Sequence, residues 1–180
     1  MTEIPGLDGY IAQFPVYEYR IITTDDLPVE DRVRTVCKQE CERYGSTWAC
    51  PPGVGEVAEC ERFCHTYPEG LFFSTVAEVR DVMDMGEMLA TRTAHEEVTE
   101  EIRQYMAAQG SDTFVLSTES CDICEECAYP DAPCRFPDKM HPCLESYGIV
   151  VPQIVERQQM AYMLGGNTVL WFSLILFRFA

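Results

Sequence analysis

Polar and apolar side chains alternate along Val16-Tyr17-Glu18-Tyr19-Arg20-Ile21-Ile22, which predicts a first strand with one half-buried face. Leu71-Phe72-Phe73-Ser74-Thr75-Val76 and Thr113 to Ser117 predict two more strands. A fourth runs from Thr168 to Phe177, and only Ser173 breaks its apolar run, so it is expected to be buried on both faces. The period changes between the second and third strands. There Met88, Thr91, His95, Val98, Ile102 and Met106 recur three or four apart, so a long helix from Val82 to Gln109 carries them on one face, with Gly110 as its stop. Glu56 to Tyr67 predicts a short helix ended by Pro68, and Val155 to Leu164 another ended by Gly165-Gly166. Asp25 and Asp26 lead through Pro28 into a charged segment ending at Cys37, and Cys37 to Pro52 reads as a loop with short helical turns. Strands and helices mix without a strict βαβ alternation, which predicts an α+β fold. The expected architecture is one mixed or antiparallel sheet, helices packed on one face, and two cysteine-rich cluster-binding loops at an edge. With no repeat or linker, residues 1–180 are expected to form a single metal-binding domain.

Composition narrows the function. A chain of 180 residues, 47% of them hydrophobic, has the material for a core, which excludes disorder over most of its length. Thirty Asp+Glu against 13 Lys+Arg give a net charge of −17. Such a surface repels nucleic acid and anionic membranes, so neither is expected as a partner. Met1 to Gly6 has no basic or apolar signal-peptide region, and the Val169–Phe177 run is far shorter than the roughly 18–20 residues of a membrane helix. The protein is therefore expected in the cytoplasm. Reducing conditions there make ten cysteines a poor disulfide scaffold and favour metal or cluster ligation. A secreted chain already relieved of its signal is the competing account.

The sharpest motif is Cys121-x2-Cys124-x2-Cys127-x6-Cys134-Arg135. Three cysteines at three-residue intervals let one short turn wrap three corners of a cubane, and a more distant fourth closes the cage. Zinc sites more often pair two C-x2-C knuckles across a longer insertion. A [4Fe–4S] cluster is thus the leading expectation, ahead of zinc and of unmetallated thiols. Arg135 is placed to hydrogen-bond an anionic cluster. Pro130 and Pro133 remove two backbone donors from the long gap and leave the remaining amides to face the sulfides.

The other block reads Cys37-x3-Cys41-x8-Cys50-Pro51-Pro52, followed by Cys60-x3-Cys64. Spacing by four stacks each pair on one helix face. Cys37, Cys41 and Cys50 are expected to bind a second cluster, with Cys60 favoured over Cys64 as fourth ligand. An extended exit through Pro51-Pro52 and a return at Gly53 and Gly55 would bring Cys60 to the cluster first. In the competing account Cys60 and Cys64 are buried small hydrophobes.

Two stretches carry a family resemblance. The run Cys37…Cys41-x2-Tyr44-Gly45-x2-Trp48-Ala49-Cys50-Pro51-Pro52, then Cys121 to Pro137 and Glu145-x-Tyr147-Gly148-Ile149, resembles the paired motifs of a family of predicted metal-binding proteins of anaerobes, classed as a domain of unknown function. The resemblance spans Tyr17 to Leu176 and implies a cysteine-rich, iron–sulfur type of protein with no assigned reaction. Seven cysteines match its pattern: Cys37, Cys41, Cys50, Cys121, Cys124, Cys127 and Cys134. Cys60, Cys64 and Cys143 fall outside it.

Other residues invite chemistry more weakly. His65 and His141 flank cysteines but read more readily as loop residues or donors to sulfur than as ligands. His95 reads as a satisfied core histidine, Glu96-Glu97-x2-Glu100-Glu101 as a solvated face, and Met83, Met85 and Met88 as core filler. Neither a Ser–His–Asp constellation nor a phosphate loop is present. The sequence therefore predicts a small protein with two [4Fe–4S] clusters that exchanges electrons with a larger redox partner through a basic docking patch on that partner. The alternatives are an enzyme with an open-site cluster at the first block and a zinc-stabilised interaction module. Oligomeric state is not legible.

Overall fold

A computed structural model describes residues 2–179. In chain order the elements are α1 (Leu7–Ile11), β1 (Val16–Thr23), α2 (Asp31–Glu40), α3 (Val57–Cys64), β2 (Glu69–Glu78), α4 (Met85–Ala108), β3 (Ser111–Leu116), α5 (Val151–Arg157) and β4 (Thr168–Phe179). A 3-10 turn at Glu145–Tyr147 precedes α5. The four strands form one antiparallel sheet in the order β1-β2-β4-β3. Ile21 pairs with Leu71, Phe73 with Ser173, and Val115 with Ile175. The α+β class and the antiparallel sheet expected from the sequence are what the structure has.

The layers differ from the expectation in one respect. Helices cover both faces of the sheet, where the sequence reading put them on one. Leu71, Phe73, Ile175 and Phe177 pack under α4 (Val98, Ile102, Met106) and α1 with its lead-in (Ile4, Leu7, Ile11). Phe72, Leu116, Leu174 and Leu176 point the other way, against α3, the 3-10 turn and α5 (Tyr147, Ile149, Val151, Ile154, Val155). Period-two geometry requires this, because a strand apolar at successive positions presents an apolar row to each side. Each large side chain so buried contributes about 1.5–3 kcal/mol.

Local chemistry explains most element boundaries. Asp84 caps α4 by accepting the Glu87 amide at 3.0 Å, and Gly110, at φ 88°, ends it as expected. The Glu59 carboxylate reaches back to the Glu56 amide at 2.9 Å, opening α3. The charged segment before Cys37 is a helix, α2, which has no buried residue and so lacks the stripe that announces helices. It is docked through backbone: the Glu30 amide donates to Gly148 at 2.8 Å and the Val150 amide to Pro28 at 2.9 Å. The helix expected at Val155–Leu164 lies earlier, at Val151–Arg157. Pro152 occupies its first turn, where a missing amide costs nothing, and the Met160 amide closes it on Val155 at 2.9 Å. Met83 and Met85 are exposed rather than core.

A polar seam runs through the α4 side of this core. His95, buried, has Thr75 Oγ1 at Nδ1 and Ser173 Oγ at Nε2, each at 2.7 Å. Ser173 meets Ser117 at 2.9 Å, and Ser117 donates to the Glu96 carboxylate at 2.7 Å. His95 is thus the satisfied core histidine the sequence predicted, and desolvation lowers its pKa to about 3. Glu96 departs from the solvated face expected of its run, and burial raises its pKa against the pull of Ser117 and His141. Among the described residues no helix is long and apolar enough to cross a membrane.

Candidate metal centre

The loop between β3 and the 3-10 turn carries the second cysteine block. Its base is laced to itself: the Ser117 amide donates to Pro142 at 3.0 Å, Leu144 to Ser117 at 3.0 Å and Cys121 to His141 at 2.9 Å. These bonds close a long excursion whose interior is free to wrap something. Cys121, Cys124, Cys127 and Cys134 all line one cavity of about 420 Å³. Amides of Ile123 and His141 face the Cys121 sulfur, although burial dominates and pushes that thiol up.

The first block supplies the rest of this wall. Arg43, Thr47, Trp48 and Ala49 line the same cavity. Trp48 donates its indole N–H to the Ala132 carbonyl at 2.9 Å and stands edge-on to Tyr129. Arg43 donates to the Cys121 carbonyl. Gly53 permits the tight packing of this segment, since a Cβ there would lie 2.6 Å from the Thr47 carbonyl and 3.1 Å from that of Cys50. The Tyr44-Gly45-x2-Trp48 spacing thereby acquires a physical role: the Gly45 amide closes on Pro51 at 2.8 Å, and Trp48 is left facing the second block.

The first-block cysteines take different positions. Cys37 sits in the last turn of α2, half-buried, with Sγ 3.9 Å from the Glu145 carbonyl oxygen; burial pushes its thiol up. Cys41 follows the helix and is exposed. Cys50 is buried and donates to Ser120 Oγ at 3.1 Å. The exit from Cys50 is not extended, because the Val54 amide turns straight back to Cys50 at 3.2 Å. Cys60 is 1% exposed, accepts from Arg34 Nη2 at 3.3 Å and lies 3.5 Å from the Val54 carbonyl. Burial pushes its thiol up against the pull of Arg34. Cys64, equally buried, is pushed up to about 12 by desolvation. Both belong to the apolar cluster with Phe72 and Leu174.

Arg135, expected at a cluster's edge, is exposed and donates to the Glu126 carbonyl at 2.7 Å, bracing the Cys124–Cys127 turn. His141 lies 3.6 Å from Glu96. Sequence reasoning missed Arg43 and Thr47. Each lines the four-cysteine cavity, and each has a buried atom, Nε or Oγ1, without a hydrogen-bond partner. Such orphans are costly, which marks this part of the wall as incompletely satisfied. The signal for them was their place inside a motif otherwise made of cysteine, glycine and aromatic residues.

Among the described residues no three His, Cys, Asp or Glu side chains converge as a lone ion requires. A single tetrahedral ion holds its sulfurs about 3.8 Å apart, whereas a four-iron cubane takes each thiolate on a separate corner. Four soft donors around one cavity, with the Arg43 side chain on the same wall, fit a thiolate-bound metal centre.

Comparison with known families agrees with a metal-binding role. The chain belongs to the family described as predicted metal-binding protein (DUF2284), whose profile matches residues 20–177. No curated protein and no solved structure matches it.

Proposed function

We propose that the protein is an electron carrier holding two [4Fe–4S] clusters in a reducing compartment, where it exchanges electrons with a larger redox protein. The observation that carries this reading is the common cavity of Cys121, Cys124, Cys127 and Cys134, with the unpartnered Arg43 Nε and Thr47 Oγ1 on residues of the same wall. When bound, such a cluster supplies one-electron exchange, and the chain's own residues set how readily it occurs. Arg43 and the amides of Ile123 and His141 offer positive charge and donors to the sulfurs, which favours the more anionic, reduced state.

The surroundings suit docking. Ile123 and Phe136 line the cavity and are exposed, and Asp122, Glu125 and Glu126 line it beside them. An apolar spot ringed by carboxylates, on a chain of net charge −17, would steer a basic patch of the partner to the point where electrons leave.

A second reading is an enzyme whose first centre has an open iron. It is favoured by a cavity of about 550 Å³ lined by Leu144, Glu145, Val151, Tyr162 and Phe172, beside the Glu145 carbonyl that Cys37 approaches. The test of the leading reading is iron, acid-labile sulfide and the EPR spectrum of the anaerobically purified full chain. About eight irons and eight sulfides per chain with a reducible EPR signal are expected. A colourless protein carrying zinc and no iron would sink the electron-carrier reading.

A further inference from the structure

Resting on the two-centre reading above, we infer that Cys143, not Cys60, is the fourth thiolate of the first centre, beside Cys37, Cys41 and Cys50. Contacts from three directions meet at the short segment that holds Cys143. Its backbone is bridged to Ser117, flanked by the Pro142 and Leu144 hydrogen bonds to that residue. Three residues further along the same rail, Ser120 receives the Cys50 thiol at 3.1 Å. Two residues after Cys143, the Glu145 carbonyl lies 3.9 Å from Cys37 Sγ. Cys50 therefore approaches this segment from one side and Cys37 from another.

The Cys143 sulfur, although burial pushes its thiol up, receives a bond suited to a ligand. It lies two residues before the 3-10 turn Glu145–Tyr147, and the Ser146 amide donates to its Sγ at 3.3 Å, the kind of bond that stabilises a coordinated thiolate. Gly148, at φ 78°, ends that turn and anchors α2 through its carbonyl, so Cys37 and Cys143 are positioned by one piece of backbone. Cys60 faces elsewhere: its sulfur is occupied by Arg34 and the Val54 carbonyl, and its neighbours are Cys64 and the apolar side chains of the sheet. The count then closes. Of ten cysteines, two four-thiolate centres take eight, and the two left over are Cys60 and Cys64, both in the apolar core. A fourth protein thiolate also saturates the first centre, which favours outer-sphere electron exchange over substrate binding at iron.

The assignment is tested on the full chain loaded with iron and sulfide under anaerobic conditions. Cys143→Ser and Cys50→Ser should each lose about four of eight irons or change one EPR signal, and the double variant should lose no more than either alone. Cys60→Ser should keep its iron and its spectrum. A second readout leaves position 143 intact. In a Cys124→Ser chain, which keeps only the first centre, mass mapping after alkylation in mild denaturant should find Cys37, Cys41, Cys50 and Cys143 protected until the metal is chelated. Cys60 and Cys64 should label equally in both states. Full iron with an unaltered spectrum in Cys143→Ser, or half-loss in Cys60→Ser, overturns the assignment. A wild-type chain that takes up neither iron nor zinc overturns the two-centre reading itself, and the assignment with it.

Discussion

Cys50 and Ser120, 70 residues apart in the chain, meet at 3.1 Å, and through that contact the two cysteine blocks become neighbours. Trp48 makes the same link two residues earlier by donating to Ala132. The two cysteine blocks therefore lie side by side along this contact.

Cys124→Ser tests the second block directly. The variant should fold, because Cys124 is half-buried in a loop outside both apolar clusters, and it should retain about half of the wild-type iron. Iron analysis beside far-ultraviolet circular dichroism reads both quantities. Unchanged iron would remove Cys124 from the ligand set.

Arg43→Gln removes a positive charge and the orphaned Nε from the cavity wall. The reduced, more anionic state loses more than the oxidised one, so one reduction potential should fall by about 60 mV, the one-electron equivalent of a tenfold change. Arg43→Lys, which keeps charge but not the fork, should fall between the two. EPR-monitored redox titration measures all three, and equal potentials would show that Arg43 serves only to hold the Cys121 carbonyl.

Gly53→Ala drives a Cβ against the backbone of Thr47, Trp48 and Cys50, where no flexible side chain can yield. The loop must open, at a cost of about 1–3 kcal/mol, and the first centre should lose iron before the second. Thermal melting and iron content together check this. An unshifted melting temperature would mean the loop gives way freely.

His95 sets a pH dependence. Its pKa is lowered to about 3 by burial, against about 6.5 in an unfolded chain. Between these values the unfolded chain binds a proton that the fold refuses, so stability falls as pH falls from 6.5 toward 3. Burial raises the pKa of Glu96, and that group acts in the opposite sense. The difference between wild type and His95→Gln isolates the histidine: wild type should lose more melting temperature between pH 7 and pH 5. Parallel curves would contradict a neutral, desolvated His95.

Much of the fold was legible because burial leaves a period in the sequence. The stripe from Met88 to Met106 predicted α4, and the dense apolar run predicted β4. The same run already implied a covered second face, since Leu174 and Leu176 must point away from Ile175 and Phe177. Cysteine spacing predicted the four residues that line one cavity, because a short loop can bring them together with little help from the rest of the chain. What escaped was long-range or carried by backbone. α2 has no residue in the apolar core and is held by main-chain bonds at its start and by Arg34 reaching Cys60. Arg43, Thr47 and Cys143 have neighbours far away in sequence, and no local pattern encodes such pairings.

The order of the strands has a consequence for synthesis. β4 follows both cysteine blocks in the chain, yet it sits inside the sheet and pairs with both β2 and β3. A nascent chain that already contains both cysteine blocks has only the β1–β2 ladder, and β3 has no partner at all. Ribosomes add about 5–20 residues per second, so the thiols wait on the order of seconds before the strand that closes the sheet is complete. During that interval the blocks are reachable by whatever delivers metal or oxidant, and closure of β4 over long sequence separation is the slow, committing step. Loading can therefore begin while both blocks are still open to solvent, before the sheet that backs them is whole.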